Sequence, residues 1–188
     1  MTKKLTGHLF SPYIYQEDKI MGMYTALSLG VELDIEQGSE VAQLLSYMIY
    51  GTEPEKKDIN WLASQHAGDT DLFECSRWAI LLRCDSYYFD FQTHFELRWD
   101  NIADNYFLSG VSNLKNYSGE IKKFLDWLNP YIHPSSCGFI GWTMYEENWA
   151  PELIMREHVQ GQDEKVIHYV PTEAHVEATV RPTEEEVA

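Results

Sequence analysis

The sequence predicts an α+β fold: a single domain with a mostly antiparallel sheet and two or three helices packed on one face. Three observations predict it. The inferred elements run as helices, then strands, one helix and further strands, without the strict strand–helix alternation of parallel α/β folds. Residues 95–99 alternate between apolar and polar side chains, which is typical of an antiparallel strand with one wet face. Two segments read as amphipathic helices with capping residues.

Chain length sets the expected domain organisation. A chain of 188 residues can bury one core and is short for two domains. Its hydrophobic fraction of 44% is that of an ordinary globular protein, despite the high charge. We therefore expect one globular α+β domain over residues 1–170. From residue 171 the sequence is polar and acidic and ends in TEEEVA, which predicts a flexible acidic tail over residues 171–188.

Three helices are predicted. Residues 39–50 place apolar side chains at helical spacing, with a capping serine at the start and a glycine after the end. Residues 58–66 form a shorter helix with one apolar face. Residues 118–129 form the third helix, capped by Ser118. It ends before Pro130, because the residue that precedes a proline disfavours helical geometry.

The remaining predicted elements are strands. Residues 21–33 are apolar with two glycines, and their period does not decide between a strand and a short helix. The apolar run 78–84 is consistent with a buried strand, which residues 87–91 would continue with aromatic side chains. Further strands are predicted at residues 95–99, 106–111, 139–145, 153–155 and 165–170, with a turn at residues 146–151 and the last strand at an edge.

Charge is the strongest signal of function in the sequence. The chain has 30 acidic and 14 basic residues, for a formal net charge of -16. The excess is concentrated in two blocks, residues 31–74 and residues 135–188, each with a net charge of -8. A field of this sign repels nucleic acid and anionic membranes and attracts basic protein surfaces. We therefore expect a partner with a basic protein surface, and no direct binding of nucleic acid or membrane.

Motifs that name a reaction are absent from the sequence. Neither G-x-G-x-x-G nor G-x-x-x-x-G-K-[ST] is present, so the phosphate-binding loops that these motifs form are not expected. G-x-S-x-G and H-E-x-x-H are missing as well. We assign no catalytic residue and no cofactor. A non-enzymatic protein is favoured, and an enzymatic activity is left open.

One pair of residues has the spacing of metal ligands. His94 and Glu96 lie two residues apart on a predicted strand, so both side chains would point to one face. An aspartate from residues 85–100 would complete such a site. Arg98 would share that face, and its positive charge argues against cation binding. We therefore predict a solvated strand face and no metal site.

The three cysteines indicate a reducing compartment. Cys75, Cys84 and Cys137 are odd in number and form no C-x-x-C pair, so neither a disulfide framework nor a zinc ribbon is expected. For Cys137 we favour a buried, unreactive thiol. Residues 1–19 lack the apolar stretch of a signal peptide, and no apolar run is long enough to span a membrane. The predicted location is the cytoplasm.

The predicted turn after residue 145 combines acidic and aromatic side chains. We call this set the acid–aromatic turn; its members are Trp142, Tyr145, Glu146, Glu147, Trp149 and Glu152. Adjacent carboxylates can carry out acid–base chemistry when one of them is buried, but an exposed acidic loop is the simpler interpretation. Side chains of these types bind lysine or arginine through cation–π contacts and charge pairing. The same mixture can stack a sugar or a base.

Residues 114–154 resemble a known sequence pattern. The segment reads LKNYSGEIKKFLDWLNPYI and, a few residues later, GFIGWTMYEENWAPELI: a capped helix, a proline stop, a strand, a Tyr-Glu-Glu turn and a short apolar strand. In this order it resembles small uncharacterised proteins of bacterial phages and mobile elements, over about a fifth of the chain. The resemblance implies a bacterial or phage source and favours inhibitors or immunity proteins. It carries no catalytic residue across.

The leading hypothesis is an acidic, non-enzymatic protein that binds a basic surface of a protein partner. An inhibitor, or an immunity or anti-defence protein that mimics the charge of nucleic acid, would act in this way on a nucleic-acid-binding protein. The acid–aromatic turn would supply one part of its binding face. An earlier cluster, which we call the first acidic cluster, would supply the other: Glu32, Asp34, Glu36 and Glu40. The alternative interpretation of both clusters is a surface that only promotes solubility.

Two further hypotheses remain open. In the first, the chain binds a small molecule (a sugar, a nucleotide or a metal) or is a hydrolase, with an aromatic pocket between sheet and helix. Residues 87–99 and Trp142 would line that pocket. In the second, the chain associates with itself through an exposed edge strand at residues 165–170. The sequence does not decide the oligomeric state.

Overall fold

The computed structural model describes residues 24–53, 58–68, 70–86, 92–148, 150–158 and 165–172. The strands are β1 (Tyr24–Leu33), β2 (His94–Asp100), β3 (Asn105–Lys115), β4 (Gly138–Tyr145), β5 (Glu152–His158) and β6 (Lys165–Pro171). The α-helices are α1 (Glu40–Tyr50), α2 (Ile59–Gln65) and α3 (Glu120–Leu128), and three short 3₁₀ helices span Asp71–Glu74, Trp78–Arg83 and Asn129–Tyr131. The strands form one antiparallel sheet in the order β2-β3-β1-β4-β5-β6. The predicted α+β class is confirmed.

The central strand β1 shows why one face of the sheet is covered. It pairs with β3 along its whole length and with β4 over residues 25–29. Leu27, Leu29 and Val31 alternate onto one face and are buried in the core together with the apolar sides of the helices. On the other face Gly30 is exposed, with open space where a side chain would stand. The undecided prediction for residues 21–33 is therefore settled as a strand over its described part.

The first helix follows its predicted caps, and the second is capped by Asp58. Ser39 accepts a hydrogen bond from the Ala42 N–H at 3.4 Å, and α1 buries six apolar side chains. Gly51 ends the helix in the left-handed region at φ 70°, a conformation that side chains other than glycine's disfavour. Asp58 caps α2 by accepting from the N–H groups of Asn60 and Trp61. Local capping chemistry therefore sets both helix starts.

The third helix begins differently from its prediction, and the capping role assigned to Ser118 is wrong. Gly119 occupies the N-cap position at φ 69° and provides no side chain. The first turn is satisfied from other residues: the carboxylate of Glu120 accepts from the Ser118 N–H at 2.8 Å, and Asn116 Oδ1 accepts from the Ile121 N–H at 3.0 Å. An acceptor five residues upstream leaves no signal at the cap position itself.

The apolar run 78–84 was predicted as a buried strand, and this prediction is wrong. Trp78–Arg83 is a 3₁₀ helix that packs Leu81 and Leu82 into the core beside α1. The run is short and continuous, so its periodicity is the same for a buried strand and a buried helical turn. The aromatic continuation over residues 87–91 lies outside the described residues.

Many of the aromatic side chains build the core between the helices. Phe73 makes edge contacts with Trp78 and Trp127 at centroid distances of 5.1 and 5.6 Å. Trp127 in turn lies 5.8 Å from Tyr131 and 6.0 Å from Phe124. Edge-to-face packing of this kind adds stability beyond simple area burial. The aromatic richness of the sequence is thus largely structural in this part of the chain.

The other strand predictions are confirmed. Residues 95–99, 106–111, 139–145, 153–155 and 165–170 lie within β2, β3, β4, β5 and β6. The last of these strands is at an edge of the sheet, as predicted. Pro171 still belongs to β6, and the predicted tail beyond Thr172 lies outside the described residues. None of the helices in the described ranges is long and apolar enough to cross a membrane.

Candidate binding groove

The structure places the two predicted acidic clusters at opposite ends of β1. Tyr145 of the acid–aromatic turn pairs with Thr25 near the start of β1, whereas Glu32 lies near its end. Glu32 lies seven positions along the strand from Thr25, a distance of about 23 Å. The two clusters are therefore not brought together into one continuous face.

Two members of the first acidic cluster have structural partners. Glu32 accepts a hydrogen bond from Asn105 Nδ2 at 2.6 Å, and its second oxygen lies 3.9 Å from His133 Nδ1. Glu40 stands in the first turn of α1, where its charge interacts favourably with the helix dipole. Both acids therefore contribute to holding this end of the fold together.

The other two members of the first acidic cluster are exposed. Asp34 and Glu36 line a shallow pocket of about 290 Å³ together with Trp99 and Asp104. We call it the small acidic pocket. Its one aromatic ring, Trp99, packs against Tyr106 at a centroid distance of 4.8 Å. This contact joins the paired strands β2 and β3, so the Trp99 ring is held in place by the fold.

The acid–aromatic turn, at the other end, borders a larger groove. The groove has a volume of about 480 Å³ and lies between the sheet and the start of α3. We call it the tyrosine groove. The side chains that define it are Thr25, Tyr117, Thr143, Tyr145, Glu152 and Tyr169. They come from β1, the segment before α3, β4, β5 and β6, so the groove depends on strand pairings between distant parts of the chain.

Burial and nearby carboxylates raise the pKa values of two phenols in the tyrosine groove. Burial raises the pKa of Tyr169 to about 12, with smaller contributions from the carboxylates of Asp126 and Glu152. The pKa of Tyr145 is also raised, first by loss of solvent around the phenol and then by Glu147 and Glu146. Both phenols therefore stay neutral well above physiological pH.

The turn itself is closed by main-chain hydrogen bonds. The Glu146 N–H donates to the Tyr24 carbonyl at 3.0 Å, and the Asn148 N–H donates to the Tyr145 carbonyl at 2.9 Å. Glu147 is exposed. Glu146 is partly buried, and its Oε2 atom has no contact with solvent and no hydrogen-bond partner among the described residues. A buried carboxylate oxygen without a donor favours a cation or a donor beside it.

Some cations already lie at the groove. Lys122 pairs with Asp126 at 2.6 Å, and Arg77 and Lys115 lie over the ring of Tyr117 at 5.1 and 5.9 Å. In the part of the chain that the structure describes, no cation lies over the rings of Tyr145 or Tyr169. The ring of Tyr117 is thus already covered by cations, whereas the rings of Tyr145 and Tyr169 have no such contact among the described residues.

The structure separates the tryptophans from the other predicted site residues. Side chains alternate along β4, so Trp142 points to the face opposite Thr143 and Tyr145. Trp149 lies outside the described residues. The aromatic pocket predicted from residues 87–99 and Trp142 is therefore not the groove seen here. Tyr117 and Tyr169 were missed, because no local pattern connects them to residue 145.

The described part of the chain offers few side-chain groups for metal binding or thiol chemistry. It contains no group of three or more histidine, cysteine or acidic side chains arranged to hold a metal ion. His94 and Glu96 are both exposed on the open face of β2. The prediction that Cys137 is buried is wrong: this thiol is exposed in the loop before β4, where its Sγ contacts the Pro134 carbonyl at 3.5 Å.

The remaining cysteines are covered to different degrees. Cys75 is buried, and Cys84 is partly buried. Burial raises the pKa of the Cys84 thiol, and the nearby Arg77 and Arg83 offset part of that rise. A thiol with a raised pKa is a poor nucleophile at neutral pH. None of the three cysteines lies in the tyrosine groove.

Comparisons with known proteins identify no relative. The chain matches no protein-family model, no curated protein sequence and no solved structure. The geometry and charge of the tyrosine groove, and the contrast between the acidic clusters at the two ends of β1, are therefore the basis for the proposed function.

Proposed function

We propose that this chain is a non-enzymatic acidic protein that binds a basic surface of a protein partner, with the tyrosine groove receiving a lysine or arginine side chain. One observation carries the proposal. Glu152 lines a groove of about 480 Å³ together with the rings of Tyr145 and Tyr169, and the carboxylates of Glu146 and Glu147 lie near the Tyr145 phenol. A partner that normally holds nucleic acid has the matching positive charge. The protein would then act in the cytoplasm as an inhibitor or an immunity or anti-defence protein.

The physics of the groove supports a cationic ligand. A cation over an aromatic ring gains about 0.5–2 kcal/mol, and the gain is larger where water is excluded. Glu152 lines the groove, while Glu146 and Glu147 lie close enough to Tyr145 to affect its pKa. Rings and carboxylates together favour lysine or arginine over neutral or anionic groups.

The first test is titration calorimetry with an octalysine amide peptide as the probe. We expect saturable binding that weakens about tenfold or more between about 20 and 200 mM sodium chloride, because charge attraction is screened by salt. An octaglutamate peptide serves as the matched control and is expected to give no heat of binding. No binding of octalysine at low salt, or equal binding of both peptides, would contradict the proposal.

The volume of the groove favours a second candidate function. Sites for small molecules commonly measure about 300–1,000 Å³, and the tyrosine groove lies within that range. Its phenols are able to stack a sugar or a nucleotide base. A thermal-shift screen with nucleotides, sugars and divalent metal ions discriminates between the two, since a ligand of the folded state raises the melting temperature by mass action. A saturable shift that salt does not reduce would favour this candidate over the basic partner.

A further inference from the structure

We propose that the basic partner binds as an extended segment that adds a seventh strand to the outer edge of β6 and directs a lysine or arginine side chain into the tyrosine groove. This inference rests on the proposed function and specifies the form of the partner. The proposed interaction surface combines the main-chain groups of the β6 edge with the side-chain site in the tyrosine groove.

The position of β6 in the sheet is the first step. β6 is the last strand in the order, and β5 is its only strand partner among the described residues. The two pair in antiparallel register from Glu152↔Pro171 to His158↔Lys165. In such a ladder every second residue of an edge strand directs its N–H and C=O away from its partner strand. Among the described residues, β6 therefore offers main-chain donors and acceptors beyond Lys165, whose carbonyl already accepts a hydrogen bond from Asn129 Nδ2 at 2.8 Å.

The two edges of the sheet differ in how they are protected. At the opposite edge, β2 carries Glu96, Arg98 and Asp100, and the Leu97 N–H donates to the Tyr50 hydroxyl at 3.2 Å. Charged side chains and covering groups of this kind prevent strand addition. β6 has the sequence KVIHYVP, with a charged side chain only at Lys165 and a proline only at Pro171. The five residues between them carry neither protection.

The groove adjoins this unprotected edge. Tyr169 belongs to β6 and lines the tyrosine groove, and Asp126 of α3 lies near enough to raise its pKa. Side chains of an added strand alternate between the two faces of the sheet, so every second one would lie on the side of α3. A basic side chain next to Tyr169 would stand near Glu152 and near Asp126, whose carboxylate already pairs with Lys122. Main-chain hydrogen bonds would then supply affinity, and the groove would supply the preference for a basic residue.

Charge complementarity selects the occupant of this edge. A second copy of the chain would bring another net charge of -16 to the same place, which opposes pairing. A basic segment is attracted by the same charge. Its alternation of basic and uncharged residues would match the alternation of groove side and open side along β6.

The test uses two peptides of identical composition. One alternates threonine and lysine, as acetyl-TKTKTKTK-amide, and its control separates them, as acetyl-TTTTKKKK-amide. Calorimetry measures their affinity for the full chain, and hydrogen exchange followed by NMR measures the protection of individual amides. We expect the alternating peptide to bind at least about fivefold more tightly. We also expect it to slow exchange at alternate amides within residues 166–170, with no change in the amides of β2.

The outcomes separate this inference from the proposed function. Binding of both peptides with equal affinity and without added protection in β6 would overturn strand addition while leaving the basic partner in place. Absence of binding by either peptide would overturn both. Protection of the β6 amides without peptide, together with a dimer in sedimentation velocity, would assign the edge to a second copy and overturn the inference. Tight binding with alternate protection supports it.

Discussion

The two ends of β1 carry similar numbers of acidic side chains but use them differently. At one end, Glu32 is bonded to Asn105 and Glu40 lies in the first turn of α1, so these charges stabilise local structure. At the other end, Tyr145 and Glu152 line a groove of about 480 Å³, and the carboxylates of Glu146 and Glu147 lie near the Tyr145 phenol. The density of acidic residues along a sequence therefore does not locate a binding site. What locates it is which carboxylates lie beside aromatic surface and a space of suitable size.

Charge reversal at each end is expected to give the largest difference. Glu146→Lys with Glu147→Lys changes the net charge by the same amount as Asp34→Lys with Glu36→Lys. We expect the first pair to weaken octalysine binding about 30-fold, which corresponds to about 2 kcal/mol. The second pair changes only the long-range electrostatic attraction and is expected to weaken octalysine binding by about threefold or less. Equal losses in calorimetry would mean that the groove is not the site.

Stability is expected to respond in the opposite sense. Glu32→Ala leaves Asn105 Nδ2 without its acceptor and is expected to lower the free energy of unfolding by about 1.5 kcal/mol. Glu147→Ala removes an exposed carboxylate and should change it by less than about 0.5 kcal/mol. Urea denaturation of both variants measures the difference. A loss of stability in the Glu147 variant as large as that in the Glu32 variant would remove the distinction between the two ends.

Alkaline pH tests whether the tyrosine groove is partly dehydrated. The pKa of Tyr169 is raised from 10.0 to about 12, so the folded state keeps this proton at pH values where the unfolded chain loses it. The resulting stabilisation is complete below pH 10 and is lost as the pH rises towards 12. With partial exposure taken into account, it amounts to about 1 kcal/mol.

The measurement for this prediction is urea denaturation at intervals between pH 9 and pH 12. The wild-type chain is expected to lose stability more steeply than the Tyr169→Phe variant over this range, because phenylalanine cannot ionise. Parallel curves for the two proteins would show that the Tyr169 phenol is not held in a dehydrated place.

The aromatic part of the proposed site is expected to give a smaller effect on affinity. Tyr145→Leu keeps apolar volume but removes the ring, and we expect it to weaken octalysine binding about fivefold through the lost cation–π contact. Tyr145→Phe keeps the ring and should bind within about twofold of the wild-type chain. If the phenylalanine variant loses as much as the leucine variant, the hydroxyl rather than the ring makes the contact.

Much of the fold could be predicted because its signals are local. The apolar spacing and caps of α1 and α2 are contained in a dozen residues each, and the alternation in β2 is contained in fewer. The strand prediction for residues 78–84 was wrong because a short, fully apolar segment has the same pattern in a strand and in a helical turn. The predicted cap of α3 was wrong because the hydrogen-bond acceptors at its start belong to Asn116 and Glu120 and not to Ser118.

The site was predictable only in part, for a related reason. Tyr145, Glu146, Glu147 and Glu152 are close in sequence, and the structure keeps them beside one groove. The pairing of β3 with β1 and of β1 with β4 brings Tyr117 to the site, and the pairing of β4 with β5 and of β5 with β6 brings Tyr169; no local period encodes these pairings. The same pairings send Trp142 to the opposite face and put the first acidic cluster about 23 Å away. Long-range register therefore decides which of the predicted residues share a surface.

A ¹⁵N NMR titration of the full chain with octalysine tests the central claim most directly, because it reports every backbone amide at once. We expect saturable shifts at the tyrosine groove, centred on Thr25, Tyr117, Tyr145 and Tyr169. The amides of Asp34, Glu36 and Trp99, at the small acidic pocket, should move little. Shifts centred on the small acidic pocket, or spread evenly over both ends of β1, would contradict the central claim.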